Sequence, residues 1–272
     1  MITSNQNPKV KLARSLLRQT QARRAQGAFV LEGVRLAEEA LNARCPAQFV
    51  LYSPDLSERG KTVVEGFAAQ GVPTEAVAEK VFLTISDTQT PQGILVVLPH
   101  FQMPLPTSLD FVLILDVIQD PGNLGTILRT AAAAGVQAVF LTPGTVDPFS
   151  PKVVRAAMGA HFRLPIHSLS WEEIEAHISK HSLRTYLASP YADTPYTKVD
   201  LRSPLALIIG SEAEGAGDRA KSLAHIHIHI PMPGAIESLN ASVAAAILMF
   251  EVVRQRDQNT LNETERHEEK NP

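Results

Sequence analysis

The chain has 272 residues, of which 44% are hydrophobic, and a formal net charge of −3. This length and composition exclude a largely disordered chain and suffice for one large or two modest domains. No apolar run reaches the ~20 residues of a membrane-spanning helix, and we expect no secretory signal in the first residues. Cys45 is the single cysteine, which excludes an internal disulfide. We therefore expect a cytoplasmic protein.

The first predicted element is strongly basic. Residues 1–35 contain seven basic side chains against Glu32 alone, a local charge of +6. Such a stretch can bind nucleic-acid phosphates although the whole chain is acidic, and it is equally consistent with a solvated amphipathic helix over 9–24. The candidate RNA-binding residues in it are Lys9, Lys11, Arg14, Arg18, Arg23 and Arg24.

The rest of the first part alternates between strand and helix patterns. Strands are predicted at 28–33, 48–53 and 93–99, and helices at 34–43, 61–70 and 77–86. This alternation indicates a small α/β domain over residues 1–98. Residues 99–110 contain three prolines and no apolar period, which is typical of a linker.

The second half is more regular. Its first strand, 111–117, is a continuous apolar run, as expected where both faces of a sheet are covered. Further strands are predicted at 138–142, 162–167, 184–189, 205–210 and 225–231, and helices at 124–135, 150–160, 171–180 and 242–256. These elements predict a parallel α/β domain over 111–257, whose ligands bind beyond the carboxyl ends of the strands. The polar residues 258–272 are predicted to form a disordered tail.

Three loops that follow strands contain residues that a plain connection does not need. In 116–129 a tight turn leads to Arg129, which can meet a phosphate or a reacting oxygen; the alternative is a surface arginine on a capped helix. In 210–217 glycines alternate with small and acidic residues, which favours a neutral or cationic ligand over a phosphate; the alternative is an ordinary glycine-rich turn. In 230–250 either Ser238 or Asn240 can cap the following apolar helix, which leaves the other free to orient a hydroxyl.

Two other kinds of site are disfavoured. His225, His227 and His229 share one face of a strand, but a spacing of ~6.6–7 Å is long for metal ligation, and no acid or cysteine nearby completes a set. No metal site is therefore predicted. A nicotinamide-dependent dehydrogenase needs a third glycine in the turn around Asn123 and an acidic residue after the strand 138–142, and both are missing.

Taken together, the loops resemble the SpoU/TrmH family of RNA ribose 2′-O-methyltransferases, in the SPOUT superfamily. The resemblance rests on DxxxDPGNLGTILRTAAAAG (116–135), LIIGSEAEGAG (207–217) and IPMPGAIESLNASVAAAILMFE (230–251), and covers about residues 111–256. The first ~97 residues resemble the substrate-binding domain often joined to this family, through NPKVKLARSLL and FVLEGVRLAEEAL. One departure is Ala213, where many members carry glycine.

The resemblance implies a trefoil knot in the second domain, S-adenosylmethionine as the cofactor, and a homodimer whose active site takes residues from both chains. The implied cofactor contacts are Gly210, Gly215, Ile230, Met232 and Leu239. The implied polar catalytic set is Asn123, Arg129, Glu212, Ser238 and Asn240. An arginine is a poor base because a guanidinium holds its proton tightly, so we expect Arg129 to stabilise developing negative charge or to clamp a phosphate.

The implied substrate is structured RNA. Ribosomal RNA is preferred, because the separate N-terminal domain resembles those of ribosomal enzymes, and transfer RNA is the alternative. A second alternative is a catalytically silent RNA-binding factor that keeps the fold, for example in ribosome assembly. The polar set retained in the three loops argues against that alternative.

Overall fold

The computed structural model of the chain describes residues 1–88, 90–211, 215–234 and 236–268, with side chains as far as residue 258. The chain divides into two compact units. The first contains Met1–Phe101 together with Asp147–Phe162, and the second contains Gln102–Val146 and the chain from Arg163 onward. Among the described helices, none is long and apolar enough to cross a membrane.

In the first part of the chain, short helices alternate with the strands of a four-stranded sheet. The helices are α1 (Pro8–Arg18), α2 (Thr20–Gln26), α3 (Val34–Asn42), α4 (Glu58–Ala69) and α5 (Glu79–Ile85). The strands are β1 (Ala28–Glu32), β2 (Phe49–Tyr52), β3 (Thr74–Ala76) and β4 (Ile94–Pro99). Their spatial order is β1-β4-β2-β3; β4 pairs antiparallel with β1 and β2, and β2 pairs parallel with β3.

Both faces of this sheet are covered, because alternate residues of its strands enter two separate apolar clusters. Phe29 and Leu31 of β1 lie in one cluster with residues of α3 and α4. Val30 lies in the other with residues of α1 and α5. All three side chains are almost fully buried. A strand covered on both faces is a continuous apolar run rather than an alternating one, as β1 is before Glu32.

The second half contains seven strands and five helices in the described part of the chain. The strands are β5 (Phe111–Leu115), β6 (Ala138–Leu141), β7 (Ile166–Ser168), β8 (Arg184–Ala188), β9 (Thr194–Pro195), β10 (Leu205–Ile209) and β11 (Ile226–His229). The helices are α6 (Pro121–Ala133), α7 (Pro151–Ala157), α8 (Trp171–Lys180), α9 (Asp218–Leu223) and α10 (Ala241–Glu268). The strands form one parallel sheet of order β7-β6-β5-β10-β8-β11-β9, so the predicted parallel α/β class is confirmed.

Residues 147–162 differ from the predicted division of the chain. The sequence assigns them to the second domain, whereas they cluster with the first unit. Asp147 forms an ion pair with Arg23 (Oδ2 to Nε 2.7 Å), and Phe149 packs on Phe29 with ring centroids 4.9 Å apart. These partners lie far apart in the chain, so no local pattern indicates the contacts.

The predicted basic helix over 9–24 is interrupted. Gln19 has an extended backbone (φ −128°, ψ 117°) that separates α1 from α2. The break orients α2 so that the guanidinium of Arg23 donates to the Leu16 carbonyl (2.7 Å) and the Thr20 hydroxyl (2.8 Å). A buried guanidinium requires such acceptors, and the ion pair with Asp147 adds one from a distant segment that the local helix pattern does not indicate.

One further prediction is wrong. The strand predicted over 162–167 begins only at Ile166, because Ala160–Phe162 form a 3₁₀ helix. The helix α10 extends to Glu268, and the disorder expected for 258–272 stays a prediction.

Candidate active site

The three loops singled out in the sequence follow β5, β10 and β11. In the sheet, β5 and β10 are direct neighbours, with Leu115 opposite Ile209, and β11 lies two places beyond β10. Because all the strands are parallel, their carboxyl ends meet at one edge of the sheet. The first loop leads into α6 and the third into α10. The sheet therefore brings three distant segments of the chain to one place.

The loop after β10 is closed by its own backbone. Ser211 and Gly215 exchange two hydrogen bonds, with N-to-O distances of 2.9 and 3.1 Å. Gly215 has φ +70°, a left-handed conformation that favours glycine. A Cβ at Gly210 would lie 2.4 Å from the backbone nitrogen of Ala216, so only glycine fits there. Residues 212–214 lie outside the described residues, and the predicted catalytic Glu212 is among them.

A cavity opens at this edge of the sheet, with an empty volume of about 720 Å³ including its mouth. All five predicted cofactor contacts line it: Gly210, Gly215, Ile230, Met232 and Leu239. Ser238 lines it as well. The described lining residues contain no charged side chain. The second and third loops therefore form one pocket with an uncharged described lining.

Part of the cavity wall was not predicted. The end of β8 contributes Ala188, Ser189 and Pro190, and the first turns of α10 contribute Ala241 and Ala244. The available signal was the strand pattern ending at residue 189. In a parallel sheet, the carboxyl end of every neighbouring strand reaches the same edge, so this strand end was a candidate on topology alone.

Asn240 caps α10 and also joins the third loop to the first. Its Oδ1 accepts hydrogen bonds from the backbone N–H (2.8 Å) and the hydroxyl (2.6 Å) of Ser242. Its Nδ2 donates to Oδ1 of Asn123 on α6, at 2.9 Å. The backbone N–H of Asn123 is in turn held by the side chain of Asp120, the N-cap of α6 (2.8 Å). Two of the predicted catalytic residues are thus in direct contact, each at the first turn of a helix.

Ser238 and Arg129 are placed differently from that pair. Ser238 is exposed and faces the cavity, one residue from Leu239. Arg129 is exposed on the third turn of α6 and is not among the described residues that line the cavity. The structure therefore brings Asn123 and Asn240 of the predicted catalytic set into contact, with Ser238 in the same loop as Asn240, and Arg129 is not among the described residues of the pocket wall.

The predicted RNA-binding set of the first unit is not uniform. Arg23 is 3% exposed and is held by Asp147, Leu16 and Thr20, so it stabilises the fold and is not accessible to phosphates. The prediction is wrong for this residue, because charge spacing alone does not distinguish a buried arginine from an exposed one.

The other five basic residues keep some exposure. Lys9 pairs with Glu75, and Arg14 donates from Nη2 to the Thr84 hydroxyl at 2.6 Å, so both are partly engaged. Arg18 is exposed and makes one contact of 3.3 Å with the Thr84 carbonyl. Lys11 and Arg24 are also exposed. Lys11, Arg18 and Arg24 are therefore the most accessible cations of α1 and α2.

Two features outside the pocket are accounted for by the fold. His225 shares hydrogen bonds with Thr185, whose backbone N–H donates to its Nδ1 at 3.1 Å. Among the described residues, no group of three or more His, Cys, Asp or Glu side chains is arranged to hold a metal ion. Cys45 is buried, and burial raises the pKa of its thiol to about 11. A thiol with so high a pKa is a poor nucleophile at neutral pH.

Family models match both parts of the chain. Residues 110–250 match the model of the SpoU rRNA Methylase family. Residues 7–96 match the model of the MRM3-like substrate binding domain. The first match contains all three loops of the candidate site, and the second contains the basic helices α1 and α2.

Similar proteins cover nearly the whole chain. An uncharacterized tRNA/rRNA methyltransferase of Synechocystis is 34% identical over 94% of each chain. The 23S rRNA (guanosine(2553)-2′-O)-methyltransferase RlmP of Bacillus subtilis is 32% identical over 92% of this chain and 97% of its own. The crystal structure of an AdoMet-bound rRNA methyltransferase from Sinorhizobium meliloti superposes with a TM-score of 0.83, at 31% identity, over 93% of this chain and 97% of that one. The chain therefore belongs to the SpoU rRNA methylase family.

Proposed function

We propose that this protein transfers the methyl group of S-adenosylmethionine to a ribose 2′-hydroxyl in ribosomal RNA. The observation that carries the proposal is that five residues from two distant loops, all expected at the cofactor, line a single cavity. Relatives of similar length support the reaction, since one is named as a 23S rRNA 2′-O-methyltransferase.

The cavity fits the cofactor in its chemistry. Gly210 lets the backbone of Gly215 and Ala216 approach closely, so main chain forms this part of the cavity wall. The described lining contains no lysine or arginine, so a phosphate-bearing ligand has no counter-charge there, whereas a nucleoside with a cationic sulfur needs none.

The residues of this chain provide positioning. When bound, S-adenosylmethionine supplies an activated methyl group on a positively charged sulfur. Asn123 and Asn240 hold α6 and the third loop in a fixed relation, and Ser238 presents a hydroxyl to the cavity. We assign these three side chains to orienting the target ribose, since holding reactants in line is the main contribution a protein makes to such a displacement. Glu212 belongs to the same proposed set.

Arg129 is proposed to stabilise negative charge on the attacking oxygen or to clamp a neighbouring phosphate. It is exposed, and a guanidinium remains protonated at neutral pH, so it can neutralise an anion but not accept a proton. Its position outside the described lining of the cavity fits a site completed by a second copy of the chain.

A homodimer is therefore part of the proposal. One face of α10 is apolar and exposed, with Val243 at 46% and Phe250 at 49% exposure. They are seven residues apart, which places them on the same side of the helix. Ile236 and Leu239, in the loop before α10, extend this apolar surface at 67% and 36% exposure. Contiguous apolar surface of this kind marks an interaction site, and a second copy would cover it beside the cavity.

The path of the chain supports a trefoil knot in the second unit. β10 lies between β5 and β8 although it follows both in sequence, and β11 lies on the far side of β8. The chain then returns so that Asn240 contacts Asn123 of α6. Such a return past the loop after β10 is what a threaded connection requires, although knots are rare in proteins.

RNA selection is proposed to lie in the first unit, through Lys11, Arg18 and Arg24, with partial contributions from Lys9 and Arg14. These exposed cations would contact phosphates, and binding would weaken as salt rises. We place the protein in the cytoplasm, where its ribosomal substrate would be made.

The test combines binding, activity and mapping. Calorimetry of the purified protein with S-adenosylmethionine should show binding, and its absence would favour a silent RNA-binding factor. Methyl transfer from labelled cofactor should label 23S rRNA fragments and not transfer RNA. Ribose-methylation mapping in cells with and without the protein should show one or a few sites lost from ribosomal RNA; loss confined to transfer RNA would contradict the proposed substrate.

A further inference from the structure

A buried carboxylate lies directly beside the cofactor loop. Asp116 follows β5, is 2% exposed and has not entered the catalytic set above. Its backbone N–H donates to the carbonyl of Ile209 at 2.9 Å, so it is the next position in the register that joins β5 to β10. Gly210, where the cofactor loop begins, is therefore its neighbour across the sheet.

The two carboxylate oxygens of Asp116 join the end of β5 to the end of β6 and to the far end of the cofactor loop. Oδ2 accepts the backbone N–H of Gly217, at the end of the cofactor loop, at 2.8 Å. Oδ1 accepts the hydroxyl of Thr142, at the end of β6, at 3.1 Å. Thr142 is 3% exposed. A buried carboxylate is stable only when it is hydrogen-bonded, so these donors and the carboxylate hold one another in place.

The backbone next to this pair is strained. Val117 has φ +56°, a left-handed conformation that β-branched residues rarely adopt. Its N–H donates to the hydroxyl oxygen of Thr142 at 3.1 Å, so the same hydroxyl accepts from Val117 and donates to Asp116. Strain of this kind persists only where the surrounding structure enforces it, and it is concentrated at functional sites.

We infer that Asp116 and Thr142 form a positioning pair that holds the loop Gly210–Gly217 in its cofactor-binding conformation. The inference rests on the proposed function. In the described part of the loop, Ser211 and Gly215 exchange two hydrogen bonds, and the backbone N–H of Gly217 ties the far end of the loop to Asp116 at the end of β5. Without the carboxylate, Gly217 is released, and the backbone that lines the cavity at Gly210 and Gly215 loses its fixed position.

The pair acts on cofactor affinity and not on the chemical step. Neither Asp116 nor Thr142 is among the described residues that line the cavity. If the loop adopts the binding conformation only part of the time, the apparent dissociation constant is the intrinsic constant divided by that fraction of time. The Michaelis constant for S-adenosylmethionine should therefore rise, while kcat at saturating cofactor and the Michaelis constant for RNA remain near the parental values.

The test compares Asp116→Ala, Asp116→Asn and Thr142→Val in the full chain. We expect the dissociation constant for S-adenosylmethionine, measured by calorimetry, to rise at least tenfold for Asp116→Ala and about three- to tenfold for the other two, as expected for a lost buried hydrogen bond. Thr142→Ser, which keeps the hydroxyl, should restore parental affinity. Thr145→Val is the matched control. The Thr145 hydroxyl lies in the loop after β6, as Thr142 does, but it donates to the Leu115 carbonyl at 3.3 Å and not to Asp116.

The outcomes separate a positioning role from a purely structural one. A structural defect lowers the melting temperature and the fraction of active protein but leaves the dissociation constant of that fraction unchanged. If Asp116→Asn and Thr142→Val melt like the parent and bind the cofactor within twofold of it, the inference is overturned; these variants decide the matter if Asp116→Ala does not fold. Failure of the parent to bind the cofactor would instead overturn the proposed function.

Discussion

Replacing Gly210 with alanine tests the cofactor loop at its tightest point. The new Cβ would lie 2.4 Å from the backbone nitrogen of Ala216, 2.5 Å from the carbonyl carbon of Gly215 and 2.7 Å from the Cα of Ala216. Carbon atoms normally approach no closer than ~3.5 Å, so the loop must move by about 1 Å. Ala216 is buried among core residues of the sheet, which resist that shift. Overpacking of this kind costs about 1–3 kcal/mol.

If that cost falls on the bound conformation of the loop, the dissociation constant for S-adenosylmethionine should rise by about 5- to 150-fold. Calorimetry on the purified variant measures this directly, with thermal melting as a check on folding. Gly234→Ala is the matched control, since a Cβ there meets no atom within 4 Å. It should bind like the parent. Parental affinity in Gly210→Ala would refute the idea that a rigid loop forms the cavity floor.

Five further predictions follow from particular residues. Burial lowers the pKa of His161 to about 4, so the unfolded chain binds more protons than the folded chain between pH 4 and 6.5. The free energy of unfolding should therefore fall by about 3 kcal/mol as pH drops through that range. Urea titrations of His161→Gln should lose this pH dependence, and a pH profile equal to that of the parent would contradict the assignment. Arg23→Gln should lower the free energy of unfolding by about 3–5 kcal/mol, because it leaves the largely buried carboxylate of Asp147 without its partner. Arg18→Gln should leave the melting temperature unchanged but weaken RNA binding and make the slope of log K against log salt concentration shallower by about 0.9. RNA binding as tight as that of the parent would contradict a contact between Arg18 and RNA. Phe250→Asp should give monomers in analytical ultracentrifugation, whereas a persisting dimer would move the interface elsewhere. Arg129→Lys should slow single-turnover methylation by about 10²-fold across pH, and a rate near that of the parent would exclude an essential guanidinium.

The sequence was sufficient for the central strands of the second unit because they are buried on both faces. The apolar runs of β5, β6 and β10 have no solvent-facing positions, and such runs separated by helices specify a parallel sheet. Parallel strands in turn fix the edge at which the three loops meet. The convergence of distant loop residues on one cavity was therefore predictable before any side-chain contact was known.

The first unit was less predictable, because its important contacts are made over long distances. Arg23 has the same local charge pattern as Arg18 and Arg24, yet it is buried against Asp147, in a segment that interrupts the second unit. Strand β3 of this unit spans three residues, too few to show a strand period, and the same limit applies to the two-residue β9 of the second unit. Tertiary contacts decide such cases, and a single sequence does not report them.

The third loop illustrates how a helix cap and a functional role can coincide. The sequence offered Ser238 and Asn240 as alternative caps, with the other free for a substrate. In the structure Asn240 caps α10 through Oδ1 and binds Asn123 through Nδ2, while Ser238 lies in the cavity wall. Because both ends of the Asn240 amide are held, its orientation is fixed before any substrate arrives, and preorganised polar groups act without further ordering. The cap is therefore the device that positions this part of the proposed active site.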